Sequence, residues 1–126
     1  MAGTVNDCGV GFIIDSGSTI TVLATRIFDK IPANNKPKLN AKIQPVLLAD
    51  GSPVKTAGSC TVDICFVNVE VQHEVLIADI DPEALLGSDF MSQHQCVLDY
   101  GKGVIHLKGE SLPYKERFNA LSICRE

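Results

Sequence analysis

The 126 residues suffice for one ordinary domain and carry a formal charge of −4, with acids and bases mixed along the chain. That balance excludes the basic stripe of a nucleic-acid binder and gives no pull toward anionic membranes. With 45% hydrophobic residues the chain can bury a core, yet its apolar runs stop at four or five residues, far short of a membrane span.

The opening stretch, MAGTVNDCGVG, has neither a basic region nor a long apolar run and does not read as a signal peptide. VGFIID (10–15) reads as a strand that runs straight into an acid. TVLATRIF (21–28) begins β-branched and then turns through a short helical stretch. DKIPANNKPKLNAK (29–42), rich in Pro, Asn and Lys, is a surface loop. IQPVLLADGSPVKTAG (43–58) carries Asp50-Gly51 between two apolar runs, a hairpin signal. Pro45 and Pro53 cannot donate to a ladder, so this hairpin projects from the body or stands at an edge.

CTVDICFVNVEVQHEVLIADI (60–80) alternates in two runs with a tight connection near Val67-Asn68, which predicts a strand pair. DPEALLGSDFMSQHQ (81–95) opens on an Asp-Pro turn and leads to a helix from Ser88 to about Gln95, with Ser88 as N-cap and Asp89 in the first turn. CVLDYGKGVIHLKG (96–109) is a hairpin around Gly101-Lys102-Gly103, and within the tail 108–126 the polar stretch ESLPYKERFNALSICRE (110–126) reads as a loose helix. The whole is mostly β, in a single domain with its core over 10–107.

Common chemistries find little support. Cys8, Cys60, Cys65, Cys96 and Cys124 are odd in number and show no CxxC, so reduced thiols in a reducing, intracellular compartment are expected rather than a disulfide or zinc framework. His73, His94 and His106 lie far apart without HExxH spacing, so no metal site is expected. No GxSxG elbow surrounds Ser16 or Ser18, and no dinucleotide fingerprint occurs, so no cofactor is expected. What remains is Asp15. An acid at the end of a buried strand is costly unless something holds or uses its charge, and Ser16, Gly17, Ser18 and Thr19 follow at once. Taken alone, Asp-Ser-Gly is also a common turn.

Three stretches, FIIDSGSTITVL, LLADGSPVKTAGSCTVDI and VLIADIDPEALLGSDFMSQHQCVLDYGKGVIHL, together resemble a retropepsin, the protease domain of retroviruses and LTR retrotransposons. The gypsy-type proteases and their domesticated relatives are most similar. The resemblance implies a closed β-barrel with one short helix in its C-terminal half and a flap hairpin. It implies an aspartic endopeptidase working as a homodimer, in which Asp15 from each copy activates one water against an extended peptide or polyprotein substrate. On the same resemblance, Ser16 braces the two loops across the dimer, Gly17 allows close approach, and Ser18 holds the carboxylate. Ala49, Asp50, Gly51 and Ser52 form the flap tip, and Ile13, Val22 and Leu85 line substrate pockets. The alternative is a domain of this fold kept for dimerisation or protein binding without catalysis.

The chain departs from the retroviral pattern in two places. There, the active-site loop carries an acid that pairs with an Arg after the later Gly; here Thr19 follows Ser18 and Ser88 follows Gly87. Eleven residues precede Phe12, so a shortened or absent N-terminal strand is expected.

Overall fold

The structure, a computed structural model, describes residues 1–41, 46–48, 51–114 and 123–125. Its centre is a closed six-stranded barrel in the order β1-β2-β7-β3-β6-β5. The strands are β1 (Ala2–Val5), β2 (Cys8–Ile14), β3 (Val22–Ala24), β5 (Thr56–Phe66), β6 (Val69–Ala78) and β7 (Ala84–Leu86). Val10, Phe12 and Ile14 point inward from β2, and Val62, Ile64 and Phe66 from β5, as the alternation requires. Phe12 meets Phe66 edge to face at 5.1 Å between centroids.

The longest ladder, between β5 and β6, reverses at Val67-Asn68, where Asn68 takes the left-handed conformation (φ 62°). A register shift at its other end lies beside Gly58 (φ +134°), where any side chain would strike the Asn40 carbonyl. The residues before Phe12 make a full barrel strand, contrary to the expected shortening. Asn6 and Asp7 both take positive φ, the two-residue reversal that suits a twisted hairpin, and so fold β1 back onto β2. Two short helices are present: α1 (Thr25–Phe28), on the helical stretch expected within 21–28, closes off β3, and α2 (Ser88–Gln93) follows β7.

Past α2, β8 (Val97–Asp99), β9 (Val104–Leu107) and β10 (Glu110–Pro113) form a three-stranded antiparallel sheet. Ile105, Leu107 and Leu112 pack into the same core as the barrel. The loose helix expected for the tail is not found among the described residues. Lys108 and Gly109, both at positive φ, reverse the chain into β10, and β11 (Ile123–Arg125) lies antiparallel to β4 (Val46–Leu48). Local polarity hid this, because a single buried side chain, Leu112, anchors β10. No helix among the described residues is long and apolar enough to cross a membrane.

Candidate active site

Asp15 stands one residue past β2. Its backbone N–H donates to the Leu86 carbonyl (3.0 Å), extending the parallel β2–β7 ladder, so the acid is placed by barrel hydrogen bonding rather than by a free loop. The loop then tightens on itself: the Gly17 N–H donates to Asp15 Oδ1 (3.1 Å) and the Ser18 N–H to the Asp15 carbonyl (3.1 Å). Asp15 is completely buried in the single chain. Its other carboxylate oxygen, Oδ2, is buried without a hydrogen-bond partner, a condition shared among the described residues only by Ser59 Oγ. Such an orphan costs about 1–3 kcal/mol, and more when charged.

The expectation for Ser18 needs correction. Its hydroxyl donates to the Ile20 carbonyl (2.7 Å), not to the carboxylate, because the tight loop turns its side chain toward the chain that follows. Ser16 and Gly17 lie on the exposed side of the loop. Ala49 and Asp50 of the expected flap tip fall outside the described residues; Gly51 (φ 88°) and Ser52 are exposed. Residues 46–48 pair with 123–125, and whether 43–58 closes as a hairpin falls outside the described pairing.

The three pocket residues do come together. Ile13 of β2 and Val22 of β3 both register with Leu85 of β7, which puts them in one row across three strands. By alternation this row faces opposite to Phe12, Ile14 and Leu86. Val22 and Leu85 are fully buried and Ile13 is half-buried, so the row is already covered within the single chain.

Behind the loop lies a polar network absent from the sequence reading. The Ser88 N–H donates to the Ser18 carbonyl (2.8 Å). Thr21 donates its hydroxyl to Asp89 Oδ1 (2.7 Å) and its N–H to Asp89 Oδ2 (3.2 Å), while the Gly87 N–H donates to the same hydroxyl (3.1 Å). These contacts brace the two segments where the retroviral acid–Arg pair is missing. The N-cap of α2 is Gly87 rather than Ser88, in extended conformation and without a side-chain cap; Asp89 instead accepts from Thr21, the residue before β3. Gly87 has no room for a side chain, because a Cβ there would strike the Ile20 backbone.

His73 and His94, far apart in the sequence, extend the network. His73, buried on β6, lies 3.1 Å from Asp89 Oδ2 through Nε2 and 3.0 Å from His94 Nε2 through Nδ1. Phe90 packs against both rings. Burial alone would raise the Asp89 carboxyl, but hydrogen bonds from His73 and Thr21 outweigh it and hold the group below its ordinary 3.8. Burial, then the charges of His73 and Lys108, hold the His94 imidazole below 6.5 against the pull of Asp89. Spacing could not reveal this network, since its members lie just before β3, on β6, on α2 and at the end of α2. Among the described residues no three His, Cys, Asp or Glu side chains converge as metal ligands.

The sequence profile of the aspartyl protease family matches residues 1–90. The fold is similar to that of the retroviral protease-like domain of Ddi1 from Leishmania major, with a TM-score of 0.73 at 13% identity over 90% of this chain and 87% of that one. It is also similar to the EIAV protease complexed with the inhibitor HBY-793, with a TM-score of 0.62 at 22% identity over 74% of this chain and 84% of that one.

Proposed function

The chain belongs to the aspartyl protease family, with a retropepsin-like fold, and on that premise we propose that it is an endopeptidase that works as a homodimer. One observation carries the reading: a buried aspartate at the end of a barrel strand, fixed by backbone contacts through one carboxylate oxygen and unpartnered at the other. A second copy of Asp15 supplies the missing partner. Two carboxylates at about 3 Å cannot both ionise, so the pair holds one proton between them. The ionised member takes a proton from water as it attacks the scissile carbonyl, and the protonated member donates to the carbonyl oxygen.

Gly17 keeps the loop slim enough for the two copies to approach, and Ser16 braces the loops from the exposed side. An extended peptide of the polyprotein type lies along the Ile13–Leu85–Val22 row, its apolar side chains in alternate pockets, with residues 49–52 closing above it. Because that row and Asp15 are already covered in the single chain, the covering residues must move aside before substrate enters. The absence of CxxC and the odd cysteine count suit a reducing compartment.

The burial of Asp15 favours a second reading, in which the fold serves dimerisation or protein binding without catalysis. One experiment separates the two. The protein is incubated with an unstructured polypeptide between about pH 4 and pH 7, with and without a pepstatin-like transition-state mimic, beside Asp15→Asn. Cleavage by wild type that is lost in Asp15→Asn and blocked by the mimic supports the protease. A folded dimer that cleaves nothing supports the binding domain, and a strict monomer in light scattering overturns the dyad.

A further inference from the structure

Asp89, His73 and His94 form a line, not a cluster. His73 stands in the middle and uses both ring nitrogens, one toward Asp89 and one toward His94. With both imidazoles neutral, His73 Nε2–H donates to Asp89 and His94 Nε2–H donates to His73 Nδ1. One added proton breaks nothing, because it resides on either ring and the shared N–H···N contact survives. A second added proton sets N–H against N–H at 3.0 Å, between rings whose centroids lie 5.1 Å apart. A single carboxylate, Asp89, then faces two cations, and Lys108 adds a third positive charge near His94.

The surrounding elements offer no relief. From the residue before β3 comes the Thr21 hydroxyl, already committed to Asp89; from α2 comes the Phe90 ring; across the ladder on β5 stands Val62. Glu74, the next acid along β6, is exposed and by alternation points away from His73.

We propose that His73 and His94 are positioning residues for the Asp15 loop, forming a brace that accepts one proton but not two. The route to the loop is explicit. His73 fixes Asp89, Asp89 fixes Thr21, and the Thr21 hydroxyl takes the Gly87 N–H beside the point where Ser88 ties to Ser18. The second proton ejects His94, uncovers one face of Phe90 and frees the C-terminal end of α2, which His94 caps. The consequence for cleavage rests on the protease reading; the proton capacity of the brace does not.

The test follows the histidine ring protons of the wild-type protein by NMR against pH, and cleavage across the same range for wild type and His94→Gln. Two separate protonation steps at least about one pH unit apart are expected, the lower one coinciding with a change in the Phe90 ring signals. In His94→Gln the lower step disappears, and the acid limb of the cleavage rate moves to lower pH by at least about one unit. If both imidazoles instead protonate together in wild type as independent residues, the proposal is overturned, and this holds even if His94→Gln fails to fold. Two steps without any cleavage leave the brace standing and sink the protease reading alone.

Discussion

Asp89 and Thr21, 68 positions apart in sequence, hold each other through two hydrogen bonds, one to the hydroxyl and one to the backbone N–H of Thr21. This pair joins the start of α2 to the strand that leaves the Asp15 loop. It does so three residues after Ser18 and one after Ser88, whose own link is backbone to backbone.

Thr21→Val tests the pair with little change of shape. The valine leaves the buried Gly87 N–H without its acceptor and takes one donor from Asp89 Oδ1, which keeps the Phe90 N–H. Stability should fall by about 1–3 kcal/mol, read as a lower urea midpoint with unchanged slope. A loss within experimental error would mean that water replaces the hydroxyl and that the brace is unimportant.

Asp89 gives a pH signature. Its carboxyl is held below 3.8 in the folded protein, so the folded state binds fewer protons than the unfolded chain in that range. The stabilisation is full above 3.8 and is lost as pH falls through the lowered folded value. Urea midpoints taken between about pH 5 and pH 3 should therefore drop more steeply for wild type than for Asp89→Asn. Parallel curves would contradict the assignment.

Gly87→Ala should destabilise by about 1–3 kcal/mol or more, because the added methyl meets the Ile20 backbone, which cannot swing aside as a side chain could. The cause is crowding and not torsion, since Gly87 has φ −91°. Circular dichroism melting would show the loss, and a variant as stable as wild type would mean that the Ile20 turn shifts freely.

The thiols offer an independent check on burial. Burial, and then Glu74, push Cys60 up to about 11, and burial alone pushes Cys96 to about 11. At pH 8 only about a thousandth of each is thiolate, so iodoacetamide should label both slowly until denaturant is added. Rapid labelling of Cys60 in the native protein would refute its place in the core.

Much of the barrel was legible because it is written in local patterns. Val62, Ile64 and Phe66 alternate with polar neighbours, Asn68 marks the reversal, and Phe12, Ile13 and Ile14 lead into Asp15. Strand period and turn chemistry act over a few residues, so a sequence states them outright. The Asn6-Asp7 reversal was equally local; its hairpin signal was obscured by the short flanking runs.

Other features were decided by tertiary structure alone. Ser18 could donate to the carboxylate or to the Ile20 carbonyl, and loop geometry chose the carbonyl. His73 and His94, separated by 21 positions, meet because α2 packs its Phe90 and Asp89 against β6. The sequence by itself determined the central strands β2, β5 and β6 and that an acid follows the first of them at once. Only the closed barrel determined which polar groups share a hydrogen bond and that Asp15 is sealed from water. Alternation acts between chain neighbours, whereas hydrogen-bond partners are allotted by register across strands that lie far apart in the chain.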